Sequence, residues 1–244
     1  MNFKCTTPSG TYSSLFYDMT KQNHLLIAGT TGSGKSVIIN GIITTLLYRF
    51  PHEARLILID PKRVELSPYK NLPHTIKYAS EPKDMLSALQ VALKICDDRY
   101  KEMQARGLRL YDGGDIYVFI DEFADLMATQ KRAVLPLIQR LAQIGRASKI
   151  HLIIATQCPL RSIISTEVKV NFDSRVGLRT RSAQDSRNIL GYSGLENLPQ
   201  YGQGIYMTPQ GDTLYKIPYV DENEQNRLIN WWINQLPKKW RKRK

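Results

Sequence analysis

Residues 29–36, Gly-Thr-Thr-Gly-Ser-Gly-Lys-Ser, satisfy the pattern G-x-x-x-x-G-K-[ST]. In such a loop Gly29, Thr30, Thr31, Gly32, Ser33 and Gly34 present successive backbone N–H groups to phosphate oxygens, with glycine where a Cβ would clash. Lys35 would neutralise the β and γ phosphates of ATP, and Ser36 would ligate Mg²⁺. Phosphate binding alone does not imply hydrolysis, which needs an acid in the magnesium shell and another to activate water. Two apolar runs end in acids, "LILID" at Asp60 and "VFIDE" at Asp121 and Glu122. Only the second supplies a pair, so Asp121 is assigned to Mg²⁺ and Glu122 to the attacking water as general base. Asp60 is accounted for as a strand terminus. Thr156 and Gln157 close a further apolar run, where Gln157 is placed to sense the γ phosphate.

These residues need elements that bring them to one edge. A loop of this kind works only between a strand and the positive end of a helix. "HLLIAG" (24–29) reads as a buried strand, and residues 35–49 as the helix after it, stopped by Phe50-Pro51. Further strands are expected at 54–60, 116–121 and 150–156, with shorter ones at 174–180, 204–207 and 214–220, the last two forming a hairpin through "TPQGDT". Residues 62–80, with Pro68 and Pro73, read as an extended connection. Apolar residues from Met85 to Met103 recur at helical spacing after Ser80 and Pro82, and that helix ends at Gly107. A helix is expected over 131–144 despite Pro136, and a last one, capped by Asp221, carries Leu228, Ile229, Trp232 and Leu236. Strands alternating with helices predict an α/β fold with a mostly parallel sheet flanked by helices, which the family resemblance given below implies is of the RecA-like P-loop kind. Without a repeat or low-complexity linker, one domain is expected over 1–236, followed by a basic tail at 237–244.

Composition narrows the partners. The 244 residues are 42% hydrophobic, enough for a sizeable core, and the formal net charge is +12. Six cations fall in the last seven residues, and Arg161, Lys169, Arg175, Arg179, Arg181 and Arg187 crowd a second region against Glu167, Asp173 and Asp185. Such patches suit a polyanion. No stretch has the length of a membrane span and no leader precedes the chain, so a cytoplasmic protein is expected. Cys5, Cys96 and Cys158 lack CxxC spacing and read as reduced thiols, and four scattered histidines offer no zinc-site spacing.

Taken in order, "HLLIAGTTGSGKSV", "LILIDPKRVELSPY", "VFIDEFADLM", "RLAQIGRASKIHLIIATQ" and the "DSRNIL" run resemble the motor domain of the FtsK/SpoIIIE family of double-stranded DNA translocases, over residues 10–220. The resemblance implies a homo-oligomeric, hexameric ring with ATP at each subunit interface and DNA in the channel. Lys35, Ser36, Asp121 and Glu122 match its ATP-site positions; Arg146 matches an arginine that reaches the neighbouring subunit's site, the bland alternative being a cation at a helix C-terminus. Lys169 and Arg187 match loop positions facing DNA, with Arg161 and Arg181 as further candidates. Two positions depart from the pattern: Cys158 stands where the family commonly has arginine, and Ala183 where it often has lysine.

The matched span leaves no room for the family's membrane-spanning region, preceding domain or winged-helix module. A stand-alone translocase of a mobile element is therefore expected, peripheral at a transfer channel and partnered by a relaxase or channel protein. Two other readings remain open: a type VII-like protein-secretion ATPase, and a nucleotide-gated coupling protein that docks DNA without processive movement.

Overall fold

The computed structural model describes residues 2–6, 12–16, 22–157, 170–216 and 221–235. Ten strands are found there: β1 Asn2–Thr6, β2 Tyr12–Phe16, β3 Leu25–Ala28, β4 Arg55–Ile59, β5 Thr75–Ala79, β6 Ile116–Ile120, β7 Ile150–Thr156, β8 Ser174–Leu178, β9 Gln203–Thr208 and β10 Gly211–Lys216. Five α-helices join them: α1 Lys35–Arg49, α2 Pro82–Arg106, α3 Phe123–Ile144, α4 Ala183–Leu190 and α5 Glu222–Gln235. Strands β3 to β10 form one sheet in the order β10-β9-β8-β3-β7-β6-β4-β5. The six strands from β8 to β5 in that order run parallel, and β9 and β10 add an antiparallel hairpin. The chain leaves β3 toward β4, returns through β6 to β7, and then crosses to β8 on the other flank of β3. That reversal opens a crevice at the carboxyl end of β3, where ligands of open α/β sheets bind.

The central strands are apolar throughout because helices cover both faces. Alternate residues of each strand serve alternate faces. Leu26, Ile57, Ile59, Val118, Ile120, Leu152 and Ile154 pack under α2 and α3, against Leu89, Cys96, Leu126, Ile138 and Leu141. Leu25, Ile27, Leu56, Leu58, Phe119 and Ile153 face α1, whose Ile38, Ile39, Ile42, Ile43, Leu46 and Leu47 are all buried. With so many β-branched residues α1 has modest intrinsic helix propensity, and this burial is what holds it helical.

Several sequence expectations need correction. Residues 62–80 are no plain extended connection: they hold a 3₁₀ turn at Ser67–Tyr69 and the edge strand β5. Helix α3 begins at Phe123, well before 131, and the Gln130 backbone leaves helical geometry at φ −139°, ψ 28°, which marks a kink. The run carrying "DSRNIL" folds as α4, capped by Ser182, whose hydroxyl accepts from the Asp185 N–H at 3.1 Å. Residues 2–6 and 12–16, for which no element is expected above, pair as antiparallel strands. The predicted strand at 214–220 is shifted to Gly211–Lys216, with 217–220 outside the described residues. Asp221 caps α5 as expected, its carboxylate accepting from Asn223 N–H at 3.2 Å. Leu236 and the tail at 237–244 lie outside the described residues, as do Cys158, Arg161 and Lys169. No helix among the described residues is long and apolar enough to cross a membrane.

Two histidines are folded into the core as neutral rings. His24 donates from Nε2 to Ala142 O at 3.1 Å and accepts the Leu152 N–H at Nδ1, 3.0 Å, so the bonded ring has no place for a second proton. Burial and then the neighbouring His151 push its pKa down to about 3; burial pushes His74 down to about 4. Because both values fall below that of the unfolded chain, protons taken up below the ordinary histidine pKa favour unfolding. Their contribution to stability is fully present above about pH 6.5 and declines as the pH falls toward 4, by up to about 1.4 kcal/mol per pH unit for each ring. Between pH 6.5 and 5 the urea midpoint, taken relative to its value at pH 7, should therefore fall less in His74→Gln than in wild type; an identical pH dependence in the two would contradict this.

Candidate nucleotide site

The loop at 29–36 leaves the end of β3 and turns into α1 exactly where the sheet reverses direction only if its backbone takes left-handed turns, and it does so at Gly32 (φ +74°) and Gly34 (φ +107°). Gly34 is the N-cap of α1, whose first turn carries no acidic residue, so the positive end of the helix stays available to an anion. Gly29 is required for a different reason. A Cβ there would stand 2.6 Å from Leu178 Cβ and 2.7 Å from Ser33 Oγ. That closeness lets the loop lie on the end of β8, where Thr30 donates to Arg179 O from its backbone N–H at 3.0 Å and its hydroxyl at 3.2 Å.

Lys35 is buried, and its ammonium lies over the loop, donating to Gly29 O and Thr30 O at 2.8 Å each. Burial lowers its pKa, opposed by the charges of Glu122 and Asp121. Asp121 and Glu122 follow β6 directly and are 7% and 3% exposed. Burial, reinforced by Glu65, Asp60 and Glu122, pushes the Asp121 carboxyl up to about 7. A carboxylate so short of compensation suits a divalent cation, and magnesium asks for few protein ligands beside phosphate and water. Asp121 and the Ser36 hydroxyl are the groups that would hold it. The loop, the helix end, Lys35 and this acid therefore fit a magnesium nucleotide.

Glu122 is held on both oxygens. Its Oε1 accepts from Thr156 Oγ1 at 3.2 Å and from Gln157 N–H at 3.1 Å, and its Oε2 accepts from Lys62 Nζ at 3.4 Å. Although Glu122 occupies the N-cap position of α3, its side chain makes no cap bond. Capping therefore does not account for it. Gln157 accepts at Oε1 from the Thr31 hydroxyl, 2.7 Å, which ties the end of β7 to the tip of the loop. Thr31, Gln157, Asp121, Glu122 and Lys35 thus gather at one edge.

The basic candidates divide. A cleft of about 310 Å³ beside the loop is lined by Thr30, Thr31, Gln157, Thr180, Arg181 and Asp185, so Arg181 borders the loop itself. Arg187 is exposed on α4. Arg175, one of the basic cluster, instead braces β8 by donating to Phe172 O at 3.1 Å and Ile189 O at 3.0 Å. Arg146 is exposed and precedes the start of β7, whereas the loop follows the end of β3. As β3 and β7 are parallel neighbours, Arg146 and the chain's own loop stand at opposite edges of the sheet.

Sequence reading passed over Lys62 and undervalued Asp60. Asp60 is fully buried; its Oδ2 accepts the Leu66 N–H at 3.1 Å and closes the turn that carries Lys62 beside Glu122. The available signal was a lysine three residues beyond the end of β4, the strand that pairs with β6.

Comparison with known proteins decides the family. The FtsK/SpoIIIE family model matches residues 7–117 and 112–160. The chain belongs to the FtsK/SpoIIIE family. The DNA translocase FtsK of Agrobacterium fabrum strain C58 is 36% identical over 264 aligned residues, covering 89% of this chain and 30% of that protein. This FtsK/SpoIIIE chain thus spans about 30% of that relative's length. Among solved structures, the pCW3 conjugation coupling protein TcpA superposes with a TM-score of 0.81 at 24% identity, over 94% of this chain and 69% of that one. The cytoplasmic domain of the Thermomonospora curvata type VII secretion ATPase EccC gives 0.79 at 20% identity, over 97% and 31%. Both share the P-loop ATPase fold seen here. For this family member, Gly29→Ala should force the loop off β8, costing about 1–3 kcal/mol of stability. Thermal unfolding and the affinity for a fluorescent ATP analogue should both drop; an unchanged pair of values would show that the loop does not depend on this contact.

Proposed function

We propose that this chain is the motor unit of an ATP-driven DNA translocase. The observation that carries the reading is the placement of Glu122, a buried carboxylate held by three donors one residue beyond Asp121, at the edge where the phosphate loop lies. Lys35 and the loop N–H groups bind the phosphates; Ser36 and Asp121 are the residues that would hold Mg²⁺, which would supply further positive charge to the phosphates. Glu122 takes a proton from the attacking water, and Gln157, bonded to Thr31, registers the γ phosphate. Arg146 serves the site of a neighbouring copy, since it stands at the edge of the sheet opposite its own loop, and a homo-oligomeric ring, taken as hexameric, supplies that neighbour. The load is double-stranded DNA, a proposal supported by family membership, by a net charge of +12, by Arg181 beside the loop and by Arg187 exposed on α4. Residues 1–236 would act as one motor unit. A role in DNA transfer by a mobile element belongs to the same proposal.

ATP turnover should rise severalfold with duplex DNA, with weaker stimulation as salt increases. Glu122→Gln should lower kcat by about 100-fold or more while ATP still binds, and Arg146→Ala should abolish turnover with ATP affinity kept. Steady-state phosphate release with and without duplex DNA, beside the mass of the assembly in ATP, checks all three. Turnover indifferent to every DNA form would remove the DNA motor reading, and pull-down of small helical secreted proteins in its place would favour a secretion ATPase.

A further inference from the structure

Lys62 stands at this edge, and the proposed cycle leaves it without work. It follows Asp60 and Pro61 at the carboxyl end of β4, in a turn closed by Asp60 and by the Arg63 N–H donating to Asp60 O at 3.2 Å. Its side chain is 44% exposed, yet its ammonium is turned inward, 3.4 Å from Glu122 Oε2 and 3.7 Å from Asp125 Oδ2. Burial works to lower its pKa, but Glu122 and then Asp125 outweigh this and hold it above the ordinary lysine value. Lysine is costly to order at a surface. Here the partner is 3% exposed, so the pair meets at the rim of the core, where removing the cation leaves a buried carboxylate short of one donor.

We propose that Lys62 is a positioning residue for Glu122. The end of β7 fixes one carboxylate oxygen through the Thr156 hydroxyl and the Gln157 N–H, and Lys62 fixes the other from β4, on the far side of β6. Two strands that flank β6 therefore set the plane of the carboxylate carried at its end. With one anchor alone the group would be free to rotate about its Cγ–Cδ bond, and a base turned away from the attacking water loses rate without losing nucleotide. Asp125, on the first turn of α3, gives the ammonium a second ion-pair partner, so the cation keeps a carboxylate beside it while Oε2 takes up the water proton.

This inference rests on the hydrolytic reading of Glu122. The test compares wild type, Lys62→Met, Lys62→Gln and Lys62→Arg for kcat in saturating MgATP, for affinity toward a fluorescent ATP analogue and for thermal unfolding. In Lys62→Met, kcat should fall roughly 10- to 100-fold with affinity kept within about twofold. Lys62→Arg, which keeps the charge, should recover most of the loss. Lys62→Gln replaces the Met variant where the latter does not fold. A wild type that hydrolyses no ATP would overturn the hydrolytic reading itself. With an active wild type, an undiminished kcat in Lys62→Met would overturn the role given to Lys62. So would affinity falling in step with kcat, which would place the ammonium on phosphate, or an Arg variant as slow as the Met one.

Discussion

The close approach of Gly29 to the end of β8 is the constraint on which the site depends. With 2.6 Å between a hypothetical Cβ and Leu178 Cβ, only glycine lets the chain leave β3 flush against its neighbour. The Thr30 bonds to Arg179 O follow from that closeness, and they give the loop a floor made from a different part of the chain. The loop's other wall is the end of β7, reached through Thr31 and Gln157. A turn suspended between the two strands flanking β3 is rigid without many contacts of its own. Such preorganisation favours binding, because the loop N–H groups do not have to be gathered when phosphate arrives.

A second consequence is electrostatic. Asp60, Glu65, Asp121 and Glu122 converge on the carboxyl ends of β4 and β6, and the cations facing them are Lys35 and Lys62. The acids share one desolvated edge, where burial first and then their mutual repulsion drive Asp121 toward neutrality. Glu122 is held by three donors, whereas Asp121 is the carboxyl that would suit a metal. The different tasks proposed for the adjacent carboxyls thus rest on their different partners, in the way that environment sets acid and base roles in enzymes generally.

What the sequence made legible follows the strength of local signals. Fully buried strands such as "LILI" and "IYVFI" stand out because both faces are apolar, and the loop at 29–36 carries its own glycine pattern. β5 was missed because "TIKYA" is half-exposed at the sheet edge, with Lys77 turned to the Ser87 hydroxyl at 2.7 Å, and prolines precede it. The start of α3 was missed because the helix follows β6 after two residues, both spent on chemistry, and the kink at Gln130 breaks the periodicity. The pairs Thr31–Gln157 and Lys62–Glu122 span 126 and 60 residues, so nothing local announces them. Only the order of strands in the sheet brings them together.

The same topology bears on assembly. A parallel sheet has two unlike edges, and here one carries the phosphate loop while the other carries Arg146. If Arg146 completes a site, the two surfaces that meet are different surfaces of the same molecule. Joined one pair at a time they make a heterologous contact, which repeats head to tail and ends only by closing into a ring or running on as a filament. A twofold dimer would instead have to join both pairs within one contact, each loop meeting its partner's Arg146. Self-association is thus a geometric corollary of an arginine acting in trans, and it needs no appeal to any load.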